Sequence, residues 1–325
     1  MLTFAGIVLG ILLLLGGGAV LVKGASQIAA SYGVSPMIVG LTIVGFGTSS
    51  PELVVNVIGA VQGASGLAFG NVIGSNISNL ALVLGTSALI SPIAIQGVLV
   101  RRELPLLLLA TTAVTVMALD GPLEGRSALI GRTDSIVLIL LFFIFIYISI
   151  LDLVRVRRED QLLSDITHSE IVKPTDSKRY SWMFVVAGFL LLFVGGELTI
   201  ENGVEFAEML GIAPTIVGLF VVAVGTSMPE LVTSIIAAVR GESDLALGNV
   251  IGSNIFNTLM VLPVSGFIAP IAVPDGGIFD LVTSWVLAAL LIPVFFLGKA
   301  VLGRFAGIAL LAGYAAYAAY RIVTG

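Results

Sequence analysis

The stretch GTSSPELVVNVIGAVQGASGLAFGNVIGSNISNLALVLG at 47–85 is repeated as GTSMPELVTSIIAAVRGESDLALGNVIGSNIFNTLMVLP at 225–263. At this offset of 178 residues, 25 of the 39 positions are identical. Upstream, Pro36 matches Pro214, and IVGL occurs at both 38–41 and 216–219. Self-similarity at a fixed offset indicates two halves of related structure.

The composition indicates an integral membrane protein. Hydrophobic residues make up 58% of the 325 residues and charged residues only 11%, whereas soluble domains carry roughly 25% charged residues. The apolar runs are long and continuous, which favours helices over the alternating strands of a barrel. The net charge of −5 disfavours nucleic acid as a partner, and the absence of cysteine excludes disulfides and thiolate sites. The single histidine, His168, is interpreted as a solvated loop residue.

Ten segments are apolar and long enough to cross a bilayer, which requires roughly 20 residues. They are 2–22, 34–60, 66–90, 103–119, 133–152, 182–201, 212–238, 245–270, 281–297 and 302–320. The first has no basic residue before it, so we interpret it as a span and not as a cleavable signal. The hydrophilic segment 153–181 then divides the chain into 1–152 and 182–325, each with five spans.

The distribution of charge predicts the orientation. With ten spans, 12 of the 15 lysines and arginines fall on the same side of the membrane, and basic residues in short loops stay in the cytoplasm. We therefore expect a multi-pass protein of the cell (plasma) membrane, with the linker 153–181 in the cytoplasm and both termini outside. Because five is an odd number, the second half crosses the membrane in the opposite sense to the first. This predicts an all-α fold of two inverted-topology repeats, which is typical of secondary transporters with a substrate site near the midplane.

Two acidic residues, Glu52 and Glu230, lie deep within these spans, and no lysine or arginine lies at a comparable depth. A charge there is unfavourable by at least ~2.5 kcal/mol, so it persists only with a partner or a function. Two protonated glutamates that stitch helices together are the structural alternative. Pro51 and Pro229 cannot donate to carbonyls four residues back, so both helices should open and free carbonyl oxygens.

Hydroxyl and amide side chains recur at helical spacing around the glutamates. The i,i+3 and i,i+4 pairs place Thr48 and Ser49 near Glu52, Thr226 and Ser227 near Glu230, Ser75 near Asn79, and Ser253 near Asn257. This set contains only oxygen ligands, which suits hard cations such as Ca²⁺, Na⁺, K⁺ or Mg²⁺. Ca²⁺ and Na⁺ have similar radii and could compete for one cluster, as an antiporter requires.

The paired GTSxPE and GNVIGSN motifs in a ten-span inverted repeat resemble the Ca²⁺/cation antiporter superfamily, specifically prokaryotic sodium/calcium exchangers. The resemblance implies that Glu52 and Glu230 are central Ca²⁺ ligands, assisted by the carbonyls of Thr48 and Thr226. It implies flanking Na⁺ sites built from Ser49, Ser75, Ser227, Ser253 and the carbonyls of Gly45 and Ala223. The amides of Asn79 and Asn257 would line the centre of the site. It also implies that helices 2–22 and 182–201 slide against the other spans.

One position departs from that family pattern. Some exchangers carry aspartate where this chain has Asn257, so the site here has a formal charge of −2 instead of −3. One Ca²⁺ or two H⁺ would neutralise it, which leaves coupling to Na⁺ or to H⁺ open.

No cofactor, obligate protein partner or enzymatic activity is expected. The expected substrates are Ca²⁺ and Na⁺, with H⁺ as the alternative, and membrane lipid is the expected surrounding. A cation channel and an intramembrane enzyme are the competing interpretations. The inverted repeat argues against the channel, and two glutamates in identical motifs argue against distinct general acid and base roles.

Overall fold

The structure is a computed structural model that describes residues 2–62, 66–97, 99–123, 125, 127–167, 177–209, 223–297 and 300–324. These residues are almost entirely helical, which confirms the expected all-α polytopic fold. Nine helices of the described part are long and apolar enough to cross a membrane. Met228–Val239 is a shorter apolar helix, and the preceding segment 210–222, which includes Pro214 and the second IVGL, lies outside the described residues.

The α-helices are α1 Leu2–Tyr32, α2 Pro36–Val39, α3 Gly45–Thr48, α4 Ser50–Val61, α5 Gly66–Ile77, α6 Leu84–Ile90, α7 Leu104–Leu123, α8 Arg132–Thr167, α9 Ser177–Met209, α10 Ala223–Thr226, α11 Met228–Val239, α12 Ser243–Phe256, α13 Leu262–Ile268, α14 Gly277–Ala289, α15 Leu291–Leu297 and α16 Arg304–Thr324. The π-helical segments are Gly40–Val44, Ser78–Val83, Leu99–Glu103 and Asn257–Val261. Three of them join consecutive α-helices within a span, and Leu99–Glu103 leads directly into α7.

Several helices extend beyond the spans that hydropathy predicts. Helix α1 continues from the predicted end at 22 to Tyr32, and α8 continues from 152 to Thr167. The first fifteen residues of the predicted linker 153–181 are therefore helical, because this stretch is rich in Leu, Arg, Glu and Gln, which favour helices. His168 lies outside the described residues. The division into 1–152, 153–181 and 182–325 stays a prediction.

Two short β-ladders connect the first half of the chain to the second. Strand β1 (Ile93–Ala94) pairs antiparallel with β4 (Val301–Leu302), and β2 (Leu129–Ile130) pairs with β3 (Ile271–Ala272). Each ladder joins a loop of one half to a loop of the other. The buried core spans both halves in the same way, with Ile73 and Leu80 in one cluster with Leu247, Ile255 and Leu259.

Helices α1 and α9 pack against each other through glycines. Their apolar residues belong to a second buried cluster, which also includes Val39, Ala237 and Leu245 of other helices. A Cβ atom added at Gly17 would lie 2.8 Å from the backbone nitrogen of Leu192, and one added at Gly195 would lie 2.8 Å from the carbonyl oxygen of Gly10. Small residues let helix backbones approach closely inside a membrane. The two helices therefore form a tightly packed pair.

We expect Gly17→Ala to destabilise this pair, whereas Gly16→Ala should not. Gly17 is buried against α9, but a Cβ atom at Gly16 would meet no described atom within 4 Å. Overpacking a close interface is unfavourable by about 1–3 kcal/mol, so Gly17→Ala should lower the thermal unfolding midpoint of the purified protein. Equal midpoints for the two variants would contradict the packing.

Candidate functional site

Both predicted helix breaks are present, at equivalent positions of the repeat. Helix α3 ends at Thr48, and Ser49 (φ −88°, ψ 6°) precedes α4 with proline in its first turn. Ser227 (φ −86°, ψ 5°) stands in the same place before α11. Proline fits a first turn because its missing N–H is not needed there. As a result, Glu52 and Glu230 each lie in the first turn of a helix, where the helix dipole stabilises negative charge.

The two glutamates are fully buried, at 0% exposure. Both carboxylate oxygens of Glu52, and Oε2 of Glu230, have no hydrogen-bond partner among the described residues. The other oxygen of Glu230, Oε1, accepts a 2.7 Å hydrogen bond from the Ser49 hydroxyl. Neither glutamate is in an ion pair in the part of the chain that the structure describes. Buried carboxylates of this kind need a cation or protons to compensate them.

The two threonines contact the opposite half of the chain. The Thr48 hydroxyl donates to Asn249 Oδ1 at 3.1 Å, and the Thr226 hydroxyl donates to Asn71 Oδ1 at 3.4 Å. These pairs are related by the 178-residue offset of the sequence repeat. The GTSxPE motif of each half of the chain therefore contacts the GNVIGSN motif of the other half.

The serines also bond across the two halves, but not symmetrically. Ser253 donates to the carbonyl of Gly45 at 3.1 Å, and Ser227 donates to the hydroxyl of Ser75 at 3.3 Å. The Gly45 carbonyl also accepts the Ser49 N–H at 3.2 Å and lies 3.3 Å from the Thr48 hydroxyl, so three protein donors surround this predicted ligand. Ala223, its equivalent, begins α10 directly after the segment 210–222, which is outside the described residues.

Asn79 and Asn257 lie in π-helical segments and are fully buried. Asn79 donates to Asn254 Oδ1 at 3.1 Å, while its own Oδ1 has no partner among the described residues. Both polar atoms of the Asn257 side chain likewise lack a described partner. π-Helical turns often occur at functional sites, and here they surround two amides with unused hydrogen-bonding capacity.

The structure thus brings the two motifs together through direct contacts between several predicted site residues. Sequence reasoning assigned no definite site role to Asn56, Asn249 or Ser234. Asn56 and Asn249 donate to the backbone carbonyls of Glu52 and Glu230, and Asn249 also accepts from Thr48. Ser234 accepts from the Asn249 amide. The offset repeat could have identified Asn249, since it is identical in both halves as Asn71 and Asn249. Spacing within one helix could not identify its partner.

Chemically, the arrangement suits a hard cation. No group of three or more acidic, histidine or cysteine side chains comes together among the described residues, so the site combines two carboxylates with neutral oxygens. Flexible oxygen ligands of this number and type are what Ca²⁺ accepts.

A cavity of about 220 Å³ lies beside the first helix break. Its lining residues are Gly47, Thr48, Ser50, Pro51, Phe189, Leu190, Leu192, Phe193 and Pro229. It therefore separates part of α9 from both proline turns and reaches Thr48.

Comparison with known proteins connects this geometry to a family. The model of the family described as "Sodium/calcium exchanger protein" matches residues 2–151 and 180–323. The sodium/calcium exchanger MaX1 of Methanosarcina acetivorans is 32% identical over 337 residues, covering 96% of each chain. The inner membrane protein YrbG of Escherichia coli is 33% identical over 272 residues, covering 83% of this chain and 81% of YrbG. A solved structure of the sodium-calcium exchanger NCX_Mj, soaked with 2.5 mM Na⁺ and 0.1 mM Ca²⁺, superimposes with a TM-score of 0.83 at 30% identity and 98% coverage of both chains.

Proposed function

This chain belongs to the sodium/calcium exchanger protein family, and we propose that it exchanges Ca²⁺ for Na⁺ at one central site containing Glu52 and Glu230. It is a multi-pass membrane protein of a family of transporters, not enzymes. Ca²⁺ would bind between the two carboxylates, with Thr48 and Thr226 beside it.

The observation that carries this proposal is the set of buried carboxylate oxygens without a described partner. Three of the four oxygens of Glu52 and Glu230 are of this kind, and both side chains are at 0% exposure. A pair of structural, protonated glutamates would be expected to use its hydroxyl donors within the protein. Ions that replace one another at these oxygens would satisfy them in turn, and this competition couples the two fluxes.

We propose alternating access as the mechanism. Helices α1 and α9 are tightly packed together through glycines, and the cavity at Thr48 lies between part of α9 and the two proline turns. A pair built in this way can move as one unit relative to the core that joins the two halves. Such movement would expose the central site to one side of the membrane at a time.

The orientation is part of the proposal. The excess of lysine and arginine on one side favours a cytoplasmic segment 153–181 and termini outside the cell membrane.

A Ca²⁺/H⁺ antiporter is the second candidate, because Asn257 leaves the site with a formal charge of −2. Two protons would neutralise such a site as one Ca²⁺ does. A cation channel is the weaker alternative, since fully buried paired carboxylates favour occlusion over rapid multi-ion conduction.

Uptake of radiolabelled Ca²⁺ into proteoliposomes of the purified protein tests these candidates. We expect uptake when Na⁺ is loaded inside and diluted outside, and none in protein-free liposomes. Uptake driven by a pH gradient alone would identify H⁺, and not Na⁺, as the coupling ion. A Ca²⁺ flux that does not depend on the gradient of any counter-ion would contradict exchange and support a channel.

A further inference from the structure

Asn249 contacts both halves of the site at once. It is fully buried in α12. Its Oδ1 accepts a hydrogen bond from the Thr48 hydroxyl of the first half, and its amide nitrogen donates to residues of the second half. That nitrogen donates to Ser234 Oγ at 2.9 Å and to the backbone carbonyl of Glu230 at 3.3 Å. One amide therefore connects a threonine of the first motif with a glutamate of the second.

The equivalent amide of the first half, Asn71, does not make the same set of contacts. Its Oδ1 accepts a hydrogen bond from the Thr226 hydroxyl at 3.4 Å, which is longer than the 3.1 Å bond from Thr48 to Asn249. Its nitrogen has no partner in the described part of the chain. The difference coincides with a substitution between the repeats, because Asn56 stands where the second half has Ser234. Asn56 itself donates to the Glu52 carbonyl at 2.8 Å, four residues back on the same helix.

We propose that Asn249 is a positioning residue of the cation site and that Asn71 is not. Asn249 makes the shortest hydrogen bond of the Thr48 hydroxyl, at 3.1 Å, and so orients Thr48 relative to the first turn of α11, which carries Glu230. In the first half, Asn56 bonds only the backbone carbonyl of Glu52 on its own helix. The two half-sites are therefore unequal although their motifs are nearly identical. This inference rests on the proposed function, since it concerns the same cation site.

The physical reason is that ligand oxygens must be held in place before the cation binds. A side chain that orients a ligand without touching the ion typically contributes about 10- to 100-fold to metal affinity. Asn249 acts at two points of the site through three hydrogen bonds, whereas Asn71 has one described bond.

The test compares Asn249→Ala with Asn71→Ala in the full-length protein. We expect Asn249→Ala to raise both the KM for Ca²⁺ uptake and the Kd for Ca²⁺ of the purified protein about 10-fold or more. The maximal rate should change less than the KM, and Asn71→Ala should raise the KM less than about 3-fold. A purely structural role would instead lower the unfolding midpoint and the amount of active protein without a selective change in KM.

Ser234→Ala covers the case in which Asn249→Ala does not fold, and a double variant tests for rescue when it does fold. Ser234→Ala removes one acceptor of the Asn249 amide at little change in volume, and we expect a KM about 3-fold higher. Ser234→Asn with Asn249→Ala recreates the Asn56 arrangement of the first half, so it should recover part of the lost Ca²⁺ affinity.

Glu230→Gln, run alongside, distinguishes the two proposals. If Glu230→Gln still transports Ca²⁺, the proposed cation site itself is wrong. If Glu230→Gln is inactive, the cation site stands. If Asn249→Ala and Ser234→Ala are then folded and have the same KM as Asn71→Ala, only the proposed role of Asn249 is overturned.

Discussion

Replacing Glu52 or Glu230 with glutamine should abolish Ca²⁺ transport while leaving the protein folded. Both carboxylates are at 0% exposure, and glutamine fills nearly the same volume without the charge. Loss of one charge from a buried ionic arrangement is unfavourable by about 3–5 kcal/mol, so Ca²⁺ affinity should fall at least about 100-fold. Uptake into proteoliposomes measures the loss.

Thermal unfolding of the same variants separates a binding defect from misfolding. Without Ca²⁺, the unfolding midpoint of each glutamine variant should equal or exceed that of the original protein, because a buried charge has been removed. Added Ca²⁺ should raise the midpoint of the original protein and not that of the variants, since only a ligand that binds the folded state stabilises it.

Glu197→Gln is the matched control, because Glu197 is an exposed residue of α9. It should retain uptake within about 2-fold, as expected for an exposed charge screened by solvent. Normal Ca²⁺ uptake by both Glu52→Gln and Glu230→Gln would contradict the proposed site.

The sequence predicted the helix breaks correctly because their cause is local. Proline at 51 and 229 cannot donate a backbone hydrogen bond, and the helices are interrupted at Ser49 and Ser227 as a direct result. The repeat also pointed to polar residues shared by both halves, such as Thr48 and Thr226, and Glu52 and Glu230, whose roles stay predictions.

The partners of those residues could not be predicted from spacing within a helix. Thr48 is four residues before Glu52, yet its hydroxyl bonds to Asn249, which is 201 residues away. Contacts of this kind depend on how the two halves pack. Asn56 and Ser234 are a further example, because these equivalent residues have different partners. Asn56 donates to the backbone carbonyl of Glu52, whereas Ser234 accepts from Asn249.

Helix ends were predicted poorly for a different reason. Hydropathy detects the apolar layer, whereas a helix continues as long as its backbone bonds and side chains allow. Helix α1 therefore runs past Lys23 and Gln27 to Tyr32. The glycines of α1 were visible in the sequence, but only the structure shows that Gly17 faces α9 and Gly16 does not.

Asn257→Asp should change the ion dependence of exchange more strongly than it changes folding. Asn257 is fully buried, and neither polar atom of its side chain has a described partner, so an aspartate breaks no hydrogen bond seen among the described residues. The substitution makes the site more negative, with a formal charge of −3 instead of −2. Three Na⁺ then balance the empty site, whereas two monovalent cations balance the original one.

Voltage dependence measures this change directly. With the membrane potential of proteoliposomes clamped by K⁺ and valinomycin, Ca²⁺ uptake by the original protein should be insensitive to voltage, because the proposed site of charge −2 would exchange one Ca²⁺ for two monovalent cations. Uptake by Asn257→Asp should depend on voltage and rise more steeply with Na⁺ concentration. An unchanged voltage, Na⁺ and pH dependence would mean that Asn257 does not set the coupling.

Asn79→Asp is the informative control, because it adds the same charge at the equivalent position of the first half. Asn79 donates to Asn254 Oδ1 at 3.1 Å, so an aspartate would place two acceptors against each other in a buried site. A lost bond with an unsatisfied buried acceptor is unfavourable by about 1–3 kcal/mol, and more for a charged group. Asn79→Asp should therefore lower the unfolding midpoint where Asn257→Asp does not, which separates the effect of charge on coupling from its effect on stability.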